Sequence, residues 1–155
     1  IINIDAHFDM RDDPLNSGTS FYYMKEDFDR RGEDFPYYAL GIHPHQTSPE
    51  LFKRAENAGV YYQSMLDFSL EALKGQLSHK KNYLSLCLDA ITSVYAEGVS
   101  APDPLGLHPK EVLRFIRELK EDTLAFSIAE LAPSLEEGSQ TAMVTAELLY
   151  YFLHK

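Results

Sequence analysis

The sequence predicts an α/β fold, a parallel sheet with helices on both faces. Three features point to it. Short apolar runs of strand length alternate with longer segments of helical period. The strand-like runs are apolar almost throughout rather than at every second residue, the pattern of strands buried on both faces. Carboxylates and imidazoles recur where those runs end, and in open α/β sheets ligands bind beyond the carboxyl ends of the strands.

Taken in order, "IINI" opens as an apolar strand, and a polar loop through Asn16, Ser17 and Gly18 follows. A helix is predicted from about Ser20 to Arg31, ending at Gly32, where a left-handed C-terminal cap is easily adopted. "PYYALGI" reads as a strand and "GIHPHQT" as the loop leaving it. Ser48 suits an N-cap, Pro49 a first helical position and Glu50 a first turn, with Gly59 closing that helix. "VYY" is a short strand, "DFSLEALKGQL" a short helix capped by Ser69, and "NYLSLCLD" a further apolar strand ending in a carboxylate. A Gly-, Ser- and Pro-rich loop precedes a helix starting at Pro109, whose Val112, Leu113, Ile116 and Leu119 form an apolar stripe. "TLAFSIAEL" is the last strand, and a last helix runs from Ser139 to about Leu153.

The 155 residues suffice for one domain with a sizeable core, and neither repeat nor linker interrupts them. The chain starts without Met inside a core strand, so we expect the domain (residues 1–155) to lack its N-terminal portion. No signal-peptide pattern opens it, and no apolar run approaches the roughly 20 residues of a membrane span. Cys87 is the one cysteine, which leaves no internal disulfide and suits a reducing cytoplasm. Against 24 acidic residues stand 14 basic ones, and the formal charge of −10 argues against nucleic acid and anionic membrane as partners. An anionic small-molecule substrate would need a local basic anchor.

Four polar clusters sit at strand ends: Asp5, His7 and Asp9; His43 and His45; Cys87 and Asp89; and Glu130. Continued as a strand, Asp5, His7 and Asp9 would share one face, where two carboxylates and an imidazole need a cation among them. Oxygen-rich sets with a single imidazole suit Mn²⁺, Mg²⁺ or Fe²⁺, and paired metals roughly 3.5–4 Å apart can orient a hydroxide for hydrolysis. A Glu closing an apolar strand is costly unless paired, which favours a functional role for Glu130. His43 and His45 flank Pro44 in a loop and read as surface residues.

"DAHFD" resembles the Asp-Ala-His-X-Asp motif of the ureohydrolase (arginase/agmatinase) superfamily. The segment Cys87–Leu107 is similar to that family's second metal motif, with Cys87-Leu88-Asp89, Glu97-Gly98, Ala101-Pro102 and Leu105-Gly106 at its successive landmarks. "SIAELAPSLEEGSQTA" resembles the closing family segment, and "NSGTSF" the substrate loop of agmatinases. Together, "DAHFDMR", "SGTSF", "CLD" and "GVSAP" look most like the formimidoylglutamase subfamily, whose members hydrolyse N-formimidoyl-L-glutamate to glutamate and formamide in histidine degradation.

The resemblance implies an arginase-like three-layer αβα fold, a binuclear Mn²⁺ centre and a homo-oligomer. It places Asp5, His7, Asp9, Cys87 and Asp89 as metal ligands, with one further His expected upstream of the chain. It makes Asp9 and Glu130 catalytic, and Arg11, Asn16, Ser17 and Glu130 substrate-binding. Cys87 occupies the place of an arginase Asp, and two roles stay open for it. The resemblance favours ligation, whereas a soft thiolate matches Mn²⁺ poorly and a lone strand Cys often only packs. Ser17 stands where arginases and agmatinases carry a proton-shuttling His. Serine does not titrate near neutrality, so water or another His, such as His43 or His45, must carry that proton. Arg11 can grip a carboxylate in a bidentate fork, which suits a glutamate-derived substrate and disfavours agmatine.

Overall fold

The computed structural model describes residues 1–77 and 81–154. Its five strands are β1 (Ile2–Ile4), β2 (Tyr38–Ile42), β3 (Tyr61–Ser64), β4 (Asn82–Cys87) and β5 (Thr123–Ala129). They form one parallel sheet in the order β3-β2-β1-β4-β5. The register decides what the sheet can do. Ile4 lies between Leu40 and Leu86, and Cys87 pairs with Ala129. The strands therefore end level, delivering Asp5, His43, Cys87, Asp89 and Glu130 to one edge.

The helices are α1 (Ser20–Arg31), α2 (Pro49–Asn57), α3 (Leu70–Lys74), α4 (Pro109–Leu119) and α5 (Gln140–Leu153). Their ends follow the cap chemistry read from the sequence. Gly32 takes φ 65° after α1, and the side chains of Ser48 and Ser69 accept from the backbone N–H groups of Leu51 and Ala72. Two apolar clusters fill the two sides of the sheet. One joins Ile2, Ile4, Leu84 and Leu86 to Leu70, Leu73, Val112, Phe115, Ile116 and Leu148 from α3, α4 and α5. The other joins Phe8, Tyr37, Ala39 and Ile42 to Phe21 and Ala55 from α1 and α2. Phe115 belongs to the buried stripe of α4, whereas Leu113, expected in that stripe, is only partly buried.

One expectation needs correction. β1 stops at Ile4, so Asp5, His7 and Asp9 do not converge as alternate residues of a strand. The inside-outside alternation persists in the loop because Ala6, Phe8 and Met10 are buried. Helices cover both faces of the sheet as expected, and that cover thins at β4 and β5. Phe126 and Ile128 pack towards α4 and α5, but Tyr83, Ala125 and Ala129 are exposed on the opposite face, and Leu124 at the start of β5 is 76% exposed. No helix among the described residues is long and apolar enough to cross a membrane.

Candidate metal centre

The site is built by the turn leaving β1. Asp5 Oδ1 accepts the backbone N–H of His7 at 2.7 Å, and Asp5 Oδ2 accepts from Asn3 Nδ2 at 3.0 Å. Asn3 in turn donates to the Tyr37 hydroxyl, which donates to the carbonyl of Phe8. These bonds fold the chain back so that His7 Nδ1 meets Asp89 Oδ2 at 3.1 Å. Asp9 holds φ 50°, its carbonyl accepting from the first turn of α1 at Phe21 and Tyr22. Glu130 holds φ 66° just past β5. Among the described residues these are the two non-glycine positions with positive φ, and both face the same pocket. Local backbone strain of this kind concentrates at functional sites.

A pocket of about 140 Å³ brings together Asp5, His7, Asp9, Cys87 and Asp89, with Arg11, Ser17 and Glu130 also on its wall. Asn16 is the site residue placed outside it. Its side chain accepts from Gly18 N and donates to the carbonyl of Pro14, capping the short turn that leads into α1. Sequence reasoning missed two wall residues. Ser100 donates from its backbone N–H to Glu130 Oε2 at 3.2 Å, and its hydroxyl binds the same oxygen. Gly18 lies beneath the guanidinium of Arg11, and a Cβ there would stand 2.0 Å from Arg11 Nη2. Gly106 shows why the Leu105-Gly106 landmark is needed, since a Cβ would meet Thr92 N at 2.6 Å.

The donor set fits a hard divalent cation. Ligand atoms of Asp5, Cys87 and Asp89 lie within 4.8 Å of one another, and Asp89 Oδ1 is buried with no hydrogen-bond partner among the described residues. Without a cation the charges do not balance well. Burial, reinforced by the charge of Asp5, pushes Asp9 up to about 8. Burial also raises Asp5. His7, bonded to Asp5 and Asp89, is pushed up to about 10 and serves as the internal cation. Burial acts to raise Asp89 too, but its bonds to His7 and Cys87 prevail and hold it below the usual carboxylate range. Protons thus occupy ligands that a metal requires bare. Raising the pH removes that competition, so Mn²⁺ affinity should climb with pH through about 8, as Asp9 ionises, and further as His7 deprotonates. Calorimetric titrations in buffers of different ionisation enthalpy should record net proton release on Mn²⁺ binding. Affinity independent of pH would exclude these residues as ligands.

Cys87 is 6% exposed, and burial together with the charges of Asp5 and Asp89 drives its thiol far above the normal range. Without metal it is a buried, protonated thiol, so chelation leaves it unreactive and alkylation cannot reveal its role. Metal affinity can. Cys87→Asp should bind Mn²⁺ at least as tightly as the parent, because it supplies a harder ligand. Cys87→Ala should bind it more weakly; parental affinity in that variant would make Cys87 a packing residue.

The two histidines of the next loop take no part in this pocket. His43, read as a surface residue, is fully buried with Nδ1 2.9 Å from Asp103 Oδ2, whereas His45 is 54% exposed and also meets Asp103. Neither stands at the pocket to shuttle a proton. Burial of His43 was hidden in the sequence because its partner lies 60 residues away.

Comparison with known proteins agrees with this fold. The model of the Arginase family matches residues 1–154. The formimidoylglutamase of Fusobacterium nucleatum is 32% identical over all of this chain and 51% of its own length, and that of Aromatoleum aromaticum is 36% identical over 97% of this chain and 47% of its own. The chain thus spans about half the length of the curated relatives it matches. Among solved structures, the Trypanosoma cruzi formiminoglutamase with Mn²⁺ superposes with a TM-score of 0.85 at 22% identity, covering 98% of this chain and 54% of that one. The agmatine ureohydrolase of Thermoplasma volcanium gives 0.79 at 27% identity, covering 98% and 53%.

Proposed function

Because the chain belongs to the arginase family, we propose that its full-length protein is a Mn²⁺-dependent hydrolase of linear amidines, a formimidoylglutamase. One observation carries the substrate choice. Arg11 and Glu130 share the wall of the pocket that holds the carboxylates, and Arg11 forms no ion pair among the described residues. A substrate with a cationic amidine at one end and carboxylates at the other meets both. Agmatine carries a guanidinium and an ammonium and has no carboxylate for Arg11.

In this reading Asp5, His7, Asp9, Asp89 and Cys87 hold the metal, and an upstream His completes the set. When bound, a Mn²⁺ pair lowers the pKa of a water and so supplies a nucleophile at neutral pH. The protein's own groups do the rest. Glu130 receives the amidinium and stabilises its charge as the trigonal carbon becomes tetrahedral. Ser100 fixes one of its oxygens, leaving Oε1 for the substrate. Asp9 is the least committed carboxylate, since its side chain makes no hydrogen bond among the described residues, which suits it to a role in the reaction. Ser17 does not titrate near neutrality, so the departing nitrogen takes its proton from water. A homo-oligomer acting in the cytoplasm is part of the same proposal.

The test is formamide release from N-formimidoyl-L-glutamate by the full-length protein. Activity that requires Mn²⁺ and exceeds turnover of agmatine and arginine is expected. Preference for either guanidino compound would overturn the substrate assignment.

A further inference from the structure

We propose that His43, His45 and Asp103 form a second divalent-metal site, nitrogen-rich and selective for Zn²⁺ over Mn²⁺, which ties the loop after β2 to the loop before α4. Their ligand atoms lie within 4.8 Å of one another. His43 Nδ1 is 2.9 Å and His45 Nε2 2.7 Å from the same oxygen, Asp103 Oδ2, and Gln46 Nε2 approaches that oxygen at 3.0 Å. Three nitrogens crowd one carboxylate oxygen, although among the described residues Asp103 Oδ1 has only the N–H of Leu105. A cation held between the two imidazoles and the carboxylate accounts for this convergence.

The alternative is a hydrogen-bonded cluster, and it leaves a gap. His43 is fully buried, yet its Nε2 has no partner among the described residues. An unsatisfied buried nitrogen is costly, and the hydrogen bonds within the cluster do not relieve it. The protonation states already suit a metal. Burial keeps His43 neutral, and Asp103 is held ionised because the Leu105 bond and the nearby histidines outweigh its burial.

Both arms are preorganised. His43 donates its backbone N–H to Ala6 and accepts from Thr47 Oγ1. The carbonyl of Asp103 accepts from Ser93 N, and Asp103 bridges to Thr92. His45 is 54% exposed, which gives a cation its route in and leaves a coordination position open to solvent. Two imidazoles and one carboxylate form a three-ligand set of the kind Zn²⁺ accepts, whereas the oxygen-rich cluster beside it suits Mn²⁺. The inference stands whether or not the proposed reaction is correct.

The test strips the full-length protein with chelator, loads it with Zn²⁺ or Mn²⁺ alone, and counts metal per chain by mass spectrometry. His45→Ala and Asp103→Asn should each hold one Zn²⁺ fewer than the parent while keeping its Mn²⁺ content. Zn²⁺ affinity at this site should fall at least about 100-fold, because loss of an outer partner alone costs 10–100-fold. His45 is exposed, so His45→Ala gives an answer even if Asp103→Asn destabilises the loop. Parental Zn²⁺ content in His45→Ala overturns the site, as does loss of Zn²⁺ and Mn²⁺ together in a variant whose melting curve is parental.

Discussion

Asp9→Asn should leave the full-length protein unable to retain Mn²⁺ at the carboxylate cluster and lower its turnover by at least about 100-fold, the upper end of what loss of a mere outer partner costs. Asparagine is the right probe because Asp9 sits at φ 50°, a conformation that Asn tolerates and Ala does not. The fold is kept while the charge goes. Melting curves separate the two effects. Free Mn²⁺ at about 100 times its Kd should stabilise the parent by about 2.7 kcal/mol and the variant hardly at all. The metal-free proteins should differ in the opposite sense. Burial raises Asp9 from its ordinary value of 3.8 to about 8, so its ionisation opposes folding increasingly as pH rises through that window. Metal-free Asp9→Asn should therefore be the more stable protein near pH 8, with the gap closing towards pH 4. Asp5→Ala should also release metal and abolish turnover. It further removes the acceptor of His7 N and Asn3 Nδ2, so it should lose stability besides. Full Mn²⁺ retention after chelator treatment in either variant would sink the assignment.

The positions of these carboxylates were readable because local rules and the wider pattern coincide along most of the chain. Ser48 and Ser69 cap the helices their neighbours begin, Gly32 ends α1, and continuously apolar runs became parallel strands. Level strand ends then gather Asp5, Asp89 and Glu130 without further information. Contacts that cross the sheet were not readable. His43 looked like a loop residue because nothing near it announces Asp103, and Ser100 gave no sign that it would hold Glu130. Arg11 was identified by its charge, but the support beneath it was not. Gly18 follows Asn16 and Ser17 in what reads as an ordinary polar turn, and only the fold shows that the missing side chain makes room for a guanidinium.

That support makes Arg11 testable from two directions. Arg11→Ala should weaken use of N-formimidoyl-L-glutamate by about 1.5–3 kcal/mol, roughly 10-fold to 150-fold in kcat/KM, the typical scale for a charged hydrogen bond. An uncharged formimino analogue should be affected little, since it has no carboxylate to lose. Arg11→Lys should fall between, because an ammonium keeps the charge but not the planar fork. Gly18→Ala leaves Arg11 itself intact. Its Cβ would stand 2.0 Å from Nη2 and 2.4 Å from Cζ, so the guanidinium must move. Backbone strain at Gly18 is not the issue, as its φ lies outside the positive range. The carboxylate preference of Gly18→Ala should therefore drop towards that of Arg11→Ala while Mn²⁺ affinity stays parental. Equal losses on both substrates in Arg11→Ala would assign Arg11 to the structure of the turn, where its backbone N–H already binds the carbonyl of Gly18. Loss confined to the carboxylate substrate, in both variants, requires an anchor that Gly18 holds in place.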